Sequence, residues 1–216
     1  MTKQLIQRGT VLAGALGLWF LTQGLLGSRP PVQGIEDQIH NLTAGPHGYL
    51  ESRPQITNGI LILSSLGIDL IGLGLLGWGL LGRSARPLVG VMVLFALRQL
   101  AQATTSLPAP PGILWRDPGF PSLLVTYSVG NDFFFSGHTA FAVFGALEFS
   151  RLGKRAFTSI VGLLALCEIS VVLVLRNHYT MDVITGAVMA FAVWMTLNRW
   201  WPKGSGGRPT HLAGGF

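Results

Sequence analysis

Runs of about twenty apolar residues, repeated along the chain, constrain this sequence more than any other feature. They lie at residues 9–27, 56–81, 88–106, 133–149, 157–175 and 179–200. Each holds roughly 17–26 residues, enough for a helix to cross a hydrocarbon core of about 30 Å. Charged residues make up only 11% of the chain and mean hydropathy is +0.50, whereas an ordinary soluble domain is about 25% charged. Many of the 29 glycines fall inside the runs, where membrane helices use them for close packing. The expected fold is therefore all-α. It is a polytopic membrane protein with six transmembrane helices in one domain, residues 1–201, and a disordered, Gly-rich cytoplasmic tail at 202–216.

Lys3 and Arg8 precede the first run. It is long for a signal peptide and no small-x-small site follows, so it reads as a retained span. Six spans put both termini on one side of the bilayer. With that side cytoplasmic, Lys3, Arg8, Arg83, Arg86, Arg151, Lys154, Arg155, Arg199, Lys203 and Arg208 lie inside. Arg29, Arg53, Arg116 and Arg176 lie outside, and Arg98 lies within a span. Ten against four fits the positive-inside rule. Basic residues spread this way are topology determinants rather than a basic patch, which argues against nucleic acid as a partner. Cys167 is the only cysteine, so no internal disulfide forms.

Three features between and within the runs call for partners. Val32, Ile35, Ile39 and Leu42 recur at helical spacing beside Glu36, Asp37 and His40, the pattern of a short helix on the membrane surface. Asp69 lies near the middle of the second run, where an ionisable group needs a partner or a water cavity. Residues 107–132 contain five prolines, which forbid regular helix and stiffen the loop. In that loop Trp115, Phe120 and Tyr127 suit the lipid headgroup level.

The chemistry-bearing residues cluster at two junctions. Ser136, Gly137, His138 and Thr139 stand where the Pro-rich loop becomes the fourth run, and Arg176, His178 and Asp182 stand between the fifth and sixth. The assumed topology brings both junctions to the outer face. His178 and Asp182 are four apart and share one helical face, so the carboxylate can fix the imidazole's tautomer. Two facing histidines suit displacement at phosphorus, one attacking and the other protonating the leaving alcohol. Ser136 and Gly137 offer helix N-terminal N–H groups to a phosphate, although Ser136 also suits plain N-capping. Arg98 and Arg176 match phosphate oxygens, with headgroup snorkelling and a structural ion pair as the alternatives. Asp132 and Glu168 are possible accessory groups, as partners to those arginines or as aids to an acceptor hydroxyl. Zinc is disfavoured, since no further His or Cys completes a ligand set near His138, His178 and Asp182.

Ser136-Gly137-His138-Thr139 and His178-Tyr179-Thr180-x-Asp182-Val183 resemble the motifs of the type 2 phosphatidic acid phosphatase superfamily. The resemblance is nearer to its sphingomyelin synthase-like branch. Asp132, six residues before His138, and Arg98, followed by Leu107-Pro108-x-Pro110, also fit that branch. The similarity covers about residues 90–195. It implies a phosphatidic acid phosphatase-like helical bundle with no metal and no cofactor. His178 would be the nucleophile, His138 the acid and base, and Asp182 the group that orients His178. The implied reaction moves a phospho-headgroup from a glycerophospholipid to a lipid alcohol such as ceramide, through a phosphohistidine. Its partners are membrane phospholipids, the alcohol acceptor and the bilayer itself. A phosphatase using water as acceptor is the first alternative and a non-catalytic membrane protein the second. The phosphatase is disfavoured because the Lys-x6-Arg-Pro motif is absent and Val171 and Val172 stand where phosphatases carry Ser-Arg.

Overall fold

A computed structural model describes residues 34–82, 84–125, 127 and 133–201, with isolated positions at 3, 6, 10, 14, 17 and 21. The chain divides into two compact units, Met1–Glu36 and Asp37–Phe216. In the first unit Lys3, Ile6, Thr10, Gly14, Gly17 and Leu21 are helical. The rest of the expected first span, with Arg8, Arg29 and Val32, lies outside the described residues, as do Arg83, Asp132 and the tail at 202–216.

The second unit is all-helical among the described residues. Its order is α1 (Gln38–Leu42), α2 (Ala44–Glu51), α3 (Pro54–Leu81), α4 (Arg86–Thr104), α5 (Gly137–Ser150), α6 (Arg155–Val174) and α7 (Thr180–Trp200). Proline opens α3 and sits in the first turn of α4, where its missing N–H costs nothing. Helices α3, α4, α6 and α7 are long and apolar enough to cross a membrane. They also turn large apolar side chains outward: Leu63 and Leu70 on α3, Met92 on α4, Leu163 and Leu166 on α6, Val188 and Met195 on α7. Continuous apolar surface of this kind needs a nonpolar solvent, and the protein is a helical membrane protein.

Helix α5 differs from the other four. At 14 residues it is about 21 Å long, short of a full crossing. It is buried on most sides, against α6 and α7 and also α3 and α4. Phe141 and Phe144 meet Ile68, Ile71 and Leu75 of α3, Val91 and Leu94 of α4, and Ala190 and Val193 of α7 in one core. The apolar run begins at Phe133, and the helix begins at Gly137, at the junction where the sequence offered Ser136 as a cap. Phe134 has φ 82°, outside helical space, and Ser136 is the N-cap, its side chain accepting the N–H of Thr139. Phe133 and Phe135 bury their rings from non-helical backbone.

At the end of α5 away from its cap, Arg86 is 2% exposed and pairs with Glu148 at 2.9 Å. Its guanidinium also donates to the Trp194 carbonyl at 3.2 Å and to Asn198 at 3.1 Å. Arg86 is thus a buried tie among α4, α5 and α7 as well as one of the ten charges assigned to the cytoplasmic side.

Within the stretch expected to form a surface helix, α1 leaves Leu42 79% exposed and turns His40 inward. The His40 Nε2–H donates to the carbonyl of His178 at 3.0 Å, and the His47 Nδ1–H donates to that of Val174 at 2.9 Å. The end of α6 leaves carbonyls without helical partners, and the two imidazoles reach the carbonyls at this junction.

Candidate active site

The site is built where α6 hands over to α7. After Val174 the chain turns through Arg176, whose φ of 53° is left-handed, a conformation costing a non-glycine residue roughly 1–2 kcal/mol. Asn177 N–H closes the turn on the Val172 carbonyl at 2.9 Å. The Pro-rich loop braces it from outside. Leu114 N–H donates to Leu175 O at 2.9 Å, Arg176 donates to Pro111 O at 2.9 Å, and the Tyr179 hydroxyl donates to Pro108 O at 3.2 Å. Asp37 supports the other side. It caps α1 through the N–H groups of Ile39 and His40, and accepts both the N–H and the hydroxyl of Thr180 at the start of α7. Burial pushes the Asp37 carboxyl up, but the Thr180 bonds and His40 outweigh it and hold the group below its ordinary value.

So held, His178 is 3% exposed and Asp182 fully buried. Asp182 Oδ2 accepts the His178 Nδ1–H at 3.1 Å and the Tyr179 N–H at 3.1 Å. The second bond is the return arm of a capping box. The first fixes Nδ1 as the protonated nitrogen and leaves Nε2 for chemistry.

Helix α5 delivers the second imidazole. Ser136 N–H donates to the Asp182 carbonyl at 3.0 Å, so the cap of α5 rests on the first turn of α7. The approach needs Gly186, where a β-carbon would lie 2.5 Å from the Ser136 carbonyl oxygen. His138 follows two residues after the cap. Its Nε2 is buried without a hydrogen bond among the described residues, and its ring meets Trp115 edge-on at 4.9 Å.

His138, His178, Gly137 and Arg98 line one cavity of about 160 Å³, together with Asn177, Trp115 and an apolar wall of Ile68, Phe95, Leu124 and Phe141. Arg98 lies over the α5 N-terminus, since a β-carbon at Gly137 would sit 3.1 Å from its Nε. A guanidinium and the positive end of a helix dipole thus meet at one place, an arrangement that attracts anions. Ser136 is the cap beneath it. Arg176 does not line the cavity, because its guanidinium is turned to Pro111. Glu168 accepts from Ser64 Oγ at 2.7 Å between α6 and α3, also away from the cavity lining. Among the described residues no group of three His, Cys, Asp or Glu is placed to hold a metal.

Several contributors escape sequence reasoning. Asn177, between Arg176 and His178, carries no signal of its own in the sequence, and Trp115 suits the headgroup level by its residue type, yet both line the cavity. Asp37, His40 and His47 act on main-chain atoms more than a hundred residues away, a pairing without local signature.

These elements define a helical membrane protein with a histidine-lined, anion-attracting cavity at one end of its bundle. More particularly, the chain belongs to the AtPDCT1/2 family, whose model matches residues 37–198. It is similar to phosphatidylcholine:diacylglycerol cholinephosphotransferase 1 of Arabidopsis thaliana, 24% identical over 145 residues. That alignment covers 67% of this chain and 47% of the plant protein, so the chain spans about half the length of this relative. No solved structure matches the chain.

Proposed function

We propose that the protein is a lipid phosphotransferase that moves a phospho-headgroup from a glycerophospholipid to the primary hydroxyl of a lipid alcohol. The observation that carries this reading is the pairing of His178 with Asp182 across one cavity from His138, beneath Arg98. His178 Nε2 attacks phosphorus. A P–N bond forms as the P–O bond to diacylglycerol breaks, and a protonated His138 gives its proton to the departing oxygen. Asp182 stabilises the charge that develops on His178. Arg98 and the α5 N-terminus balance the non-bridging oxygens. In the second half His138 takes the proton of the incoming alcohol, whose oxygen displaces His178 from phosphorus.

The relative's name favours phosphocholine as the group moved and diacylglycerol as the alcohol, while the sphingomyelin synthase-like motifs favour ceramide. The outward apolar faces of α3, α4, α6 and α7 support a membrane-crossing bundle, and six spans with cytoplasmic termini and the site on the outer face rest on the apolar runs and on the ten-to-four charge count. In that topology α5 forms the inner part of the fourth span.

Purified protein is given choline-labelled phosphatidylcholine and diacylglycerol of different chain length. Label should appear in phosphatidylcholine carrying the new chains, and His178→Ala should abolish it. Labelled sphingomyelin in a parallel reaction with ceramide would identify the sphingolipid acceptor. Release of phosphocholine alone would make the protein a hydrolase, and undiminished transfer in His178→Ala would remove His178 from the chemistry.

A further inference from the structure

The Pro-rich loop does not simply cross the bundle's end. It runs down α3 and is attached at three heights. Arg116 donates to Asn58 at 3.1 Å and to the Pro54 carbonyl at 3.3 Å. The Tyr127 hydroxyl bonds Ser65 Oγ and the Leu61 carbonyl. Deepest is Asp69, whose carboxylate accepts the N–H of Leu123 at 2.9 Å, the N–H of Leu124 at 2.9 Å and the Ser122 hydroxyl at 3.4 Å. Asp69 lies fifteen residues past Pro54, about 22 Å along the helix at 1.5 Å per residue. Non-helical backbone at that depth persists in a membrane protein only if its polar groups are satisfied within the protein. Asp69 does this, and the loop in turn supplies the partner that a mid-span carboxylate requires.

What the clip positions is Leu124. Its side chain fills the space left by Gly72, where a β-carbon would overlap it, and lies beside Phe141. Leu124 and Phe95 belong to the apolar wall of the cavity. Phe95 packs edge-on against Phe141 at 5.1 Å. On the outside of the same wall Leu123 is 66% and Phe95 40% exposed. The wall therefore separates the histidines from the surface that meets lipid. At about 160 Å³ the cavity is smaller than the roughly 300–1,000 Å³ that encloses a drug-sized ligand. It can enclose a reacting headgroup and not two acyl chains, which must pass out through an apolar side.

We infer that the 122–124 segment is the portal through which the hydrophobic part of the lipid substrates leaves the cavity, with Leu124 as the residue that selects among them and Asp69 as its positioning residue. The inference rests on the proposed headgroup transfer and names the lipid-facing half of the same site. Leu124 flanks the acyl chains where they pass through the wall, so its effect grows with the length of chain that must pass it. Asp69 touches no substrate and acts by fixing the two N–H groups that set the height of Leu124.

The test compares dioleoylglycerol with dioctanoylglycerol as acceptors for the purified protein. Leu124→Trp should lower kcat/KM for dioleoylglycerol at least tenfold more than for dioctanoylglycerol. Asp69→Asn, which keeps the shape and loses the charge, should shift the same ratio severalfold. A purely structural role would lower both acceptors together. Should either variant fail to fold, Leu124→Ala and Leu124→Met are read in the same ratio, and an unchanged ratio in every folded variant overturns the inference. Native mass spectrometry gives a readout independent of turnover: Leu124→Trp should lose bound dioleoyl-phosphatidylcholine while retaining the dioctanoyl form. If this selective loss occurs and the parent protein transfers no headgroup, the portal stands and the transferase reading fails. If the parent transfers headgroups and neither readout moves, the portal alone fails.

Discussion

One oxygen of Asp182 accepts both the Tyr179 N–H and the His178 Nδ1–H, so a single carboxylate starts helix α7 and sets the tautomer of the adjacent imidazole. An amide cannot replace both roles. In Asp182→Asn the carbonyl oxygen can still accept from Tyr179, but the negative charge that steadies His178 as its Nε2 bonds phosphorus is gone. We expect kcat for headgroup transfer to fall by about 10²–10⁴ with KM changed only a few-fold; turnover within tenfold of the parent would show that Asp182 is a cap and nothing more. The His178–Asp182 pairing was readable from its four-residue spacing, although His178 lies just before the N-cap of α7 and the bond spans the start of the helix and not a turn within it. Arg176 shows the limit of such reading. Proximity in sequence to His178 suggested a phosphate ligand, but its left-handed backbone turns the side chain toward Pro111. No local rule announces that turn.

Apolar run length located α3, α4, α6 and α7 to within two residues at every end, because hydropathy and helix length are both local properties. The start of α5 was legible from Ser136, which suits an N-cap, but not that Phe133, Phe134 and Phe135, as apolar as any helix, stand on non-helical backbone before it. The contact that joins α5 to α7 was not visible at all. Gly186 is one of many glycines in the runs, and its use is known only when the Ser136 carbonyl is seen against it. Gly186→Ala should force the α5 cap away from α7 and part the two histidines. A misplacement of about 1 Å can cost on the order of 10² in rate, so kcat should fall at least tenfold. Gly162→Ala on α6 is the comparison, because no atom lies within 4 Å of the added β-carbon. It should keep full activity and gain a little helix stability, up to about 1 kcal/mol. Equal activity in the two variants would mean that the α5–α7 approach does not set the site.

The molecule as a whole is closed at two ends by different means. At the cavity end the ties run from side chains to main chain: His40, His47, Asp37 and Asp69 each hold backbone of an otherwise separate segment. At the far end the tie is ionic, and Arg86 joins Glu148 on α5 to Trp194 and Asn198 on α7. Removing one partner of a buried ion pair strands the other and typically costs about 3–5 kcal/mol, whereas replacing both with apolar groups can be nearly neutral. Glu148→Ala should therefore lower the melting temperature of the purified protein markedly. Arg86→Met combined with Glu148→Leu should recover most of the loss, short of the two further bonds that Arg86 makes to α7. Because the pair sits at the opposite end of α5 from His138, the double variant should still transfer headgroups at permissive temperature. If Glu148→Ala melts with the parent, the pair contributes nothing measurable and α5 is held by its apolar contacts and by the cavity-end ties. If the double variant instead stays as unstable as Glu148→Ala, the loss of the Arg86 bonds to Trp194 and Asn198 on α7 offsets whatever removing the stranded charge restores.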